Sequence, residues 1–164
     1  MATIEEYARR PREERIARVE LTPGELAAAV KGVSVPALMR RPAPKSWAAT
    51  EVICHLRDNE EWFLERMKLV MTMELPRFVA TNPDRWAEER QYLTNDAAVA
   101  LAAFTRRRGE TLAFLKTLER DDWQRAGVHV DSRGRRTIDE FLSVMAWHDD
   151  NHLDQLRRAL DGRP

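Results

Sequence analysis

Trp147-His148-Asp149-Asp150-Asn151-His152-Leu153-Asp154-Gln155 is the stretch that decides the fold. It lies within an expected helix from Thr137 to Leu160. Thr137 can cap the start, Glu140 completes a capping box, and Ile138, Phe141, Met145, Leu153, Leu156 and Leu160 recur at helical spacing. At about 100° per residue, His148 and His152 fall about 40° apart on the wheel and one turn apart along the axis. Both imidazoles can therefore reach one point, which is how a helix offers two ligands to a metal ion. The same spacing suits two satisfied polar residues at a core edge, so the pair alone leaves both readings open.

Working outward, three more amphipathic segments precede this helix. Pro11 to about Val33 reads as the first, with Leu26, Val30 and Val33 on its stripe. At Thr22-Pro23-Gly24-Glu25 a helix-start signature predicts either a kink or a fresh helix. Arg41-Pro42-Ala43-Pro44-Lys45-Ser46-Trp47 is a connector, and Ser46 can cap a second helix over about Trp47 to Met73. Val52, Leu56, Phe63, Met67 and Val70 form its apolar stripe. His55 stands on the shoulder of that stripe, with Asn59, Trp62 and Arg66 on the same side. Cys54 points away from His55 and reads as a packing or surface thiol. A third long helix is expected from Asn95 or Asp96 to about Leu118, capped by Thr94, with Val99, Leu101, Ala102, Phe104, Leu112, Leu115 and Leu118 as its stripe. Arg106, Arg107 and Arg108 read there as a solvated basic face.

Between the second and third helices, Glu74 to Thr94 reads as a crossover with one short helix. Its aromatics Phe78, Trp86 and Tyr92 either cover one end of the core or belong to a lid. Asp121 to Arg136 reads as a polar loop in which His129 is a surface residue. Four amphipathic helices with one long connector predict an all-α four-helix bundle whose sites lie between facing helices. One domain, residues 1–164, accounts for the length, with residues 1–10 a candidate flexible arm.

Composition narrows the function. Lys plus Arg and Asp plus Glu each number 27, so no summed field draws the chain to nucleic acid or an anionic membrane. One cysteine excludes an intrachain disulfide and a multi-cysteine zinc cluster. The first fifteen residues lack the apolar core of a signal peptide, and no run approaches the length of a membrane span. A soluble, cytoplasmic protein is the expectation. If the second and fourth helices pack together, His55 joins His148 and His152 in a three-nitrogen set. Such a set suits zinc, nickel or iron and leaves a coordination position open, as catalytic sites do.

In Arg41-Pro42-Ala43-Pro44-Lys45-Ser46-Trp47, Glu51-Val52, His55-Leu56 with Asp58, Trp147-His148, and His152-Leu153 with Gln155, the chain resembles the DinB/YfiT-like superfamily of metal-dependent enzymes, over about Arg15 to Leu160. The resemblance implies an up-down-down-up bundle, often a homodimer, and a ligand set of His55, His148 and His152. In many relatives a histidine adjoins the second ligand of the pair; here Asp149-Asp150-Asn151 fills the interval. The resemblance also implies a divalent ion, zinc first, which activates water or a low-molecular-weight thiol for hydrolysis of, or S-transfer to, a small electrophile. Asn59, Trp62, Arg66 and Gln155 are the candidate pocket walls, and Arg66 can meet an anionic group. Asp149 falls on the apolar arc of its helix. There it is expected either to bond a ligand histidine or an arginine, or to reach solvent at the bundle's end. The alternative to an enzyme is a noncatalytic bundle, stabilised by metal and acting as a ligand-binding or dimerisation module.

Overall fold

The computed structural model describes residues 2–131 and 133–164; Met1 and Ser132 lie outside the described residues. The elements in order are α1 (Ile4–Ala8), α2 (Arg12–Val30), α3 (Val35–Leu38), α4 (Ala49–Thr72), β1 (Arg77–Phe78), α5 (Pro83–Glu89), α6 (Ala97–Leu115), β2 (Ala126–His129), β3 (Arg135–Thr137) and α7 (Ile138–Leu160). Single 3-10 turns occur at Tyr92–Thr94 and Asp122–Gln124.

Helices α2, α4, α6 and α7 form the four-helix bundle. Side-chain pairs fix their directions. Arg15 bonds Asp139 and Ser143 while Thr22 bonds Asp149, so α2 and α7 run parallel. Late α4 residues Phe63, Met67 and Val70 cluster with Phe141 and Met145 from early α7 and with Leu115 from the end of α6. Early α4 residues Val52 and Leu56 cluster with Leu153 and Leu156 from late α7 and with Ala100 and Phe104 from early α6. Hence α4 runs parallel to α6 and antiparallel to α7, giving up-down-down-up order. Two parallel neighbours cannot be joined by a tight turn, which accounts for the long connector between α4 and α6.

Several local expectations change. Residues 4–8 are not a free arm: they form α1, whose Tyr7 is buried and donates its hydroxyl hydrogen bond to Asp150. Thr22-Pro23 neither starts a helix nor ends one, and α2 runs through it. Pro23 has no N–H to give to the carbonyl of Val19. That carbonyl instead accepts from Arg108 Nη1 at 2.5 Å, and the Thr22 hydroxyl donates to Asp149 Oδ2 at 2.6 Å. Ala48, not Ser46, occupies the N-cap of α4, where Glu51 Oε2 accepts from the Ala48 N–H at 2.9 Å. The other Glu51 oxygen accepts from Arg41, so the proline-rich connector is tied to the start of α4. Asp96 rather than Thr94 caps α6.

The basic run of α6 is not one solvated face. Arg106 is, but Arg108 is 1% exposed. The buried stripe is Ala100, Phe104, Arg108, Thr111 and Leu115, whereas Val99 faces outward. Arg108 donates to Asp149 at 2.6 and 3.1 Å and to Glu60 at 2.7 Å. With its bond to Val19, this one side chain on α6 ties α2, α4 and α7 together.

The stretch expected as a polar loop contains two strands. β2 pairs antiparallel with β3 and parallel with β1, whose residues come from the crossover. Gly127 is required in β2, because a Cβ there would lie 2.3 Å from the Phe78 ring. Phe78 and Tyr92 are buried and cover the core; Tyr92 donates to Asp58 Oδ2 at 2.7 Å. Among the described residues, no helix is long and apolar enough to cross a membrane.

Candidate metal centre

Antiparallel packing of α4 on α7 brings His55 opposite His148 and His152. One potential ligand nitrogen from each lies within 4.8 Å of the other two. His55 Nε2 and His148 Nε2 are 3.0 Å apart. Asn59, one turn along α4 from His55, places Nδ2 2.8 Å from His55 Nε2 and 2.9 Å from His148 Nε2. With the Asn59 amide as donor, both nitrogens accept, so two lone pairs face each other across 3.0 Å. No carboxylate hydrogen-bonds any of the three imidazoles among the described residues. A shared cation would satisfy both lone pairs at once. Two ligands at about 2.0 to 2.1 Å from one tetrahedral ion stand roughly 3.4 Å apart, close to the spacing found. The donor set therefore fits a divalent ion of the zinc, nickel or iron type.

Electrostatics keep the ligands ready. Burial, reinforced by neighbouring His152, pushes His55 down to about 3, and burial also lowers His148 and His152. All three are neutral at pH 7, the form that binds metal. His152 Nδ1 bonds Gln155 Oε1 at 2.7 Å; since an amide oxygen only accepts, Nδ1 carries the proton and Nε2 is left free. Trp47 stacks nearly parallel on His152, 6.3 Å between centroids, and meets His55 edge-on at 4.9 Å.

The triad opens into a cavity of about 510 Å³ whose walls include Asn59, Trp62, Phe63, Phe141, Trp147 and His129. A second cavity, about 430 Å³, adjoins it: Trp47 and His152 line both, and Lys45, Asp84, Gln155 and Arg158 give the second a polar lining.

Residues 18–156 match the family model of the DinB superfamily. The chain belongs to the DinB superfamily. It is 26% identical over 149 residues to the "Putative metal-dependent hydrolase YfiT" of Bacillus subtilis, covering 91% of this chain and 84% of that protein. A protein of the same description from Oceanobacillus iheyensis is 23% identical over 148 residues, covering 90% and 84%. The solved structure of YfiT, described as having an unusual four-helix bundle topology, matches with a TM-score of 0.84 at 25% identity, covering 90% of this chain and 85% of that one. The mycothiol-dependent maleylpyruvate isomerase shares the fold, with a TM-score of 0.73 at 16% identity, over 95% of this chain and 63% of that one.

Within this DinB bundle the candidate residues divide. His55, His148, His152, Asn59 and Trp62 meet on one cavity, and Gln155 supports His152 from the adjoining one. Arg66 is not among the residues lining the cavity beside the triad. Its guanidinium lies over the Trp62 ring, donates to the Val79 carbonyl and approaches His129 Nδ1 at 3.4 Å. Burial lowers it to about 9. Asp149 bonds Arg108 and Thr22, and no hydrogen bond joins it to a histidine. His129, read as a surface residue, is buried on β2 in the cavity wall, and burial together with Arg133 and Arg66 lowers it to about 4. Trp47 and the hairpin arginines Arg133 and Arg136 also line the walls, although no local sequence pattern marks them as wall residues. A metal-ligand histidine that loses its orienting partner typically loses 10–100-fold in metal affinity. Gln155→Leu is accordingly expected to weaken zinc binding by about tenfold or more, measured by competition against a chromogenic chelator. Unchanged affinity would mean that the Gln155 bond does not set the His152 tautomer.

Proposed function

We propose that this protein is a divalent-metal enzyme, with zinc as the resident ion, acting on a small electrophile bound in the apolar cavity. The observation that carries the reading is the convergence of three neutral imidazole nitrogens, without a carboxylate, on the wall of that cavity. The metal-dependent description of its relatives supports it. When bound, the ion would supply Lewis acidity and lower the pKa of a coordinated water or thiol.

The chain's own residues do the rest. Three protein ligands leave an open position, where four would close the site. Asn59, whose amide stands 2.8 to 2.9 Å from two of the nitrogens, is placed to orient whatever enters there. Trp62, Phe63, Phe141 and Trp147 give the bound molecule an apolar wall. Cys54 is no nucleophile, since burial raises its thiol to about 11. The nucleophile therefore comes from outside, as water or a thiol. The polar second cavity that shares Trp47 and His152 gives a thiol its own approach and favours S-transfer over simple hydrolysis.

The test is elemental analysis of protein purified without a metal-affinity tag, followed by turnover assays against activated esters and against halogenated arenes with added thiol. Native protein should carry about one equivalent of zinc and turn over at least one class. His148→Ala should lose both the metal and the turnover. Equal turnover by the two proteins, or a native protein that takes up no ion after incubation, overturns the proposal.

A further inference from the structure

The cavity beside the triad has a second polar region apart from the histidines, built by the β2–β3 hairpin. His129, Arg133 and Arg136 line it together with Trp62, Phe63, Phe141 and Val144. Two phenylalanine rings join it to the triad: His148 packs on Phe63 at 5.9 Å, Phe63 on Phe141 at 6.2 Å, and Phe141 on His129 at 6.1 Å. Although the chain has 27 acidic residues, no Asp or Glu lines this cavity among the described residues.

The arginines are not equivalent. Arg133 grips Asp131 with contacts of 2.6 to 3.1 Å, so that pair contributes little net charge. Arg136 is half-buried and has no ion pair among the described residues. Strand alternation turns it to the face opposite Arg135, which is exposed and donates to the Gln124 carbonyl. A partly desolvated guanidinium facing an acid-free cavity is costly unless an anion meets it there. Arg66 behind the wall adds positive field without reaching the space, being engaged with Trp62 and Val79. One uncompensated charge at the surface of the cavity suits a monoanion better than a phosphate dianion, and a guanidinium fork matches a carboxylate geometrically.

We propose that Arg136, flanked by Arg133, is the specificity-determining residue of the cavity: it binds the carboxylate of a small apolar monoanion whose body lies on Phe63 and Phe141. That the other end of this molecule reacts beside the histidines rests on the function proposed above; the carboxylate site itself does not.

The probe is benzoate, titrated by tryptophan fluorescence and calorimetry into the full chain at pH 7, both as purified and after EDTA treatment, beside neutral benzamide and phenyl phosphate. Benzoate should bind about tenfold tighter than benzamide with or without metal, the size expected of one charge-assisted pair. Arg136→Gln should abolish that preference, Arg136→Lys should retain part of it, and the exposed control Arg106→Gln should leave it intact. Circular dichroism of each variant separates lost binding from lost folding. Equal affinity for benzoate and benzamide, or a preference that survives Arg136→Gln, overturns the proposal. So does benzoate binding that vanishes with EDTA, because the carboxylate would then sit on the metal. Tighter binding of phenyl phosphate than benzoate overturns the monoanion assignment. A benzoate preference in a protein that takes up no ion supports the Arg136 site while overturning the metal-enzyme reading.

Discussion

Replacing Arg108 with methionine is expected to destabilise the protein by about 3–5 kcal/mol, read as a lower midpoint in urea unfolding. The side chain is wholly buried and holds two carboxylates and one carbonyl, to which only the Thr22 hydroxyl on Asp149 adds a further side-chain donor among the described residues. Asp149 and Glu60 are as deeply buried as Arg108 itself, so its loss leaves two acids in the core without their cation. The Val19 carbonyl, orphaned by Pro23, loses its donor as well. Against a typical net stability of about 5–15 kcal/mol, such a loss consumes a large share. The effect belongs to the broken network rather than to a packing defect. Adding Glu60→Gln and Asp149→Asn to Arg108→Met should therefore recover part of the stability, since the buried charges are then gone. A triple variant no more stable than the single one would place the cost in packing instead. Because Asp149 follows His148 on α7, the single variant is also expected to weaken zinc binding.

That network shows where the sequence is legible and where it is not. His55, His148 and His152 can be read because the i,i+4 pair and the shoulder position on α4 are local features, and bundle packing needs only two helices to meet. Arg108 hides in a run of three arginines that looks solvated. Its signal is periodic: it stands four residues after Phe104 and seven before Leu115, on their stripe. Thr22 and Pro23 mimic a helix start because the motif is local, whereas the donor that lets α2 continue comes from α6, far along the chain. His129 is placed by β1, a two-residue strand, pairing with β2 across about fifty residues. Strands this short carry almost no periodic signal. The hairpin wall of the cavity, including Arg136, is therefore invisible until the strands are paired.

Zinc at one hundred times its Kd is expected to stabilise the native protein by about 2.7 kcal/mol. For a chain of 164 residues that corresponds to a rise in Tm of roughly 5–10 °C. His152→Ala should show no rise. Without zinc, the variant should melt close to the native protein. His152 is half-buried and borders open cavities on two sides, so truncating it enlarges an existing space and creates no sealed void. Its imidazole also sits against two others that are held neutral by burial, a cluster that contributes little to the fold unless a cation joins it. The whole difference between the two proteins is therefore expected in the zinc-dependent part of a calorimetric melt. An equal rise in both would place zinc somewhere other than the three histidines. A variant already many degrees less stable without zinc would show that the triad is first a packing element, with metal binding second.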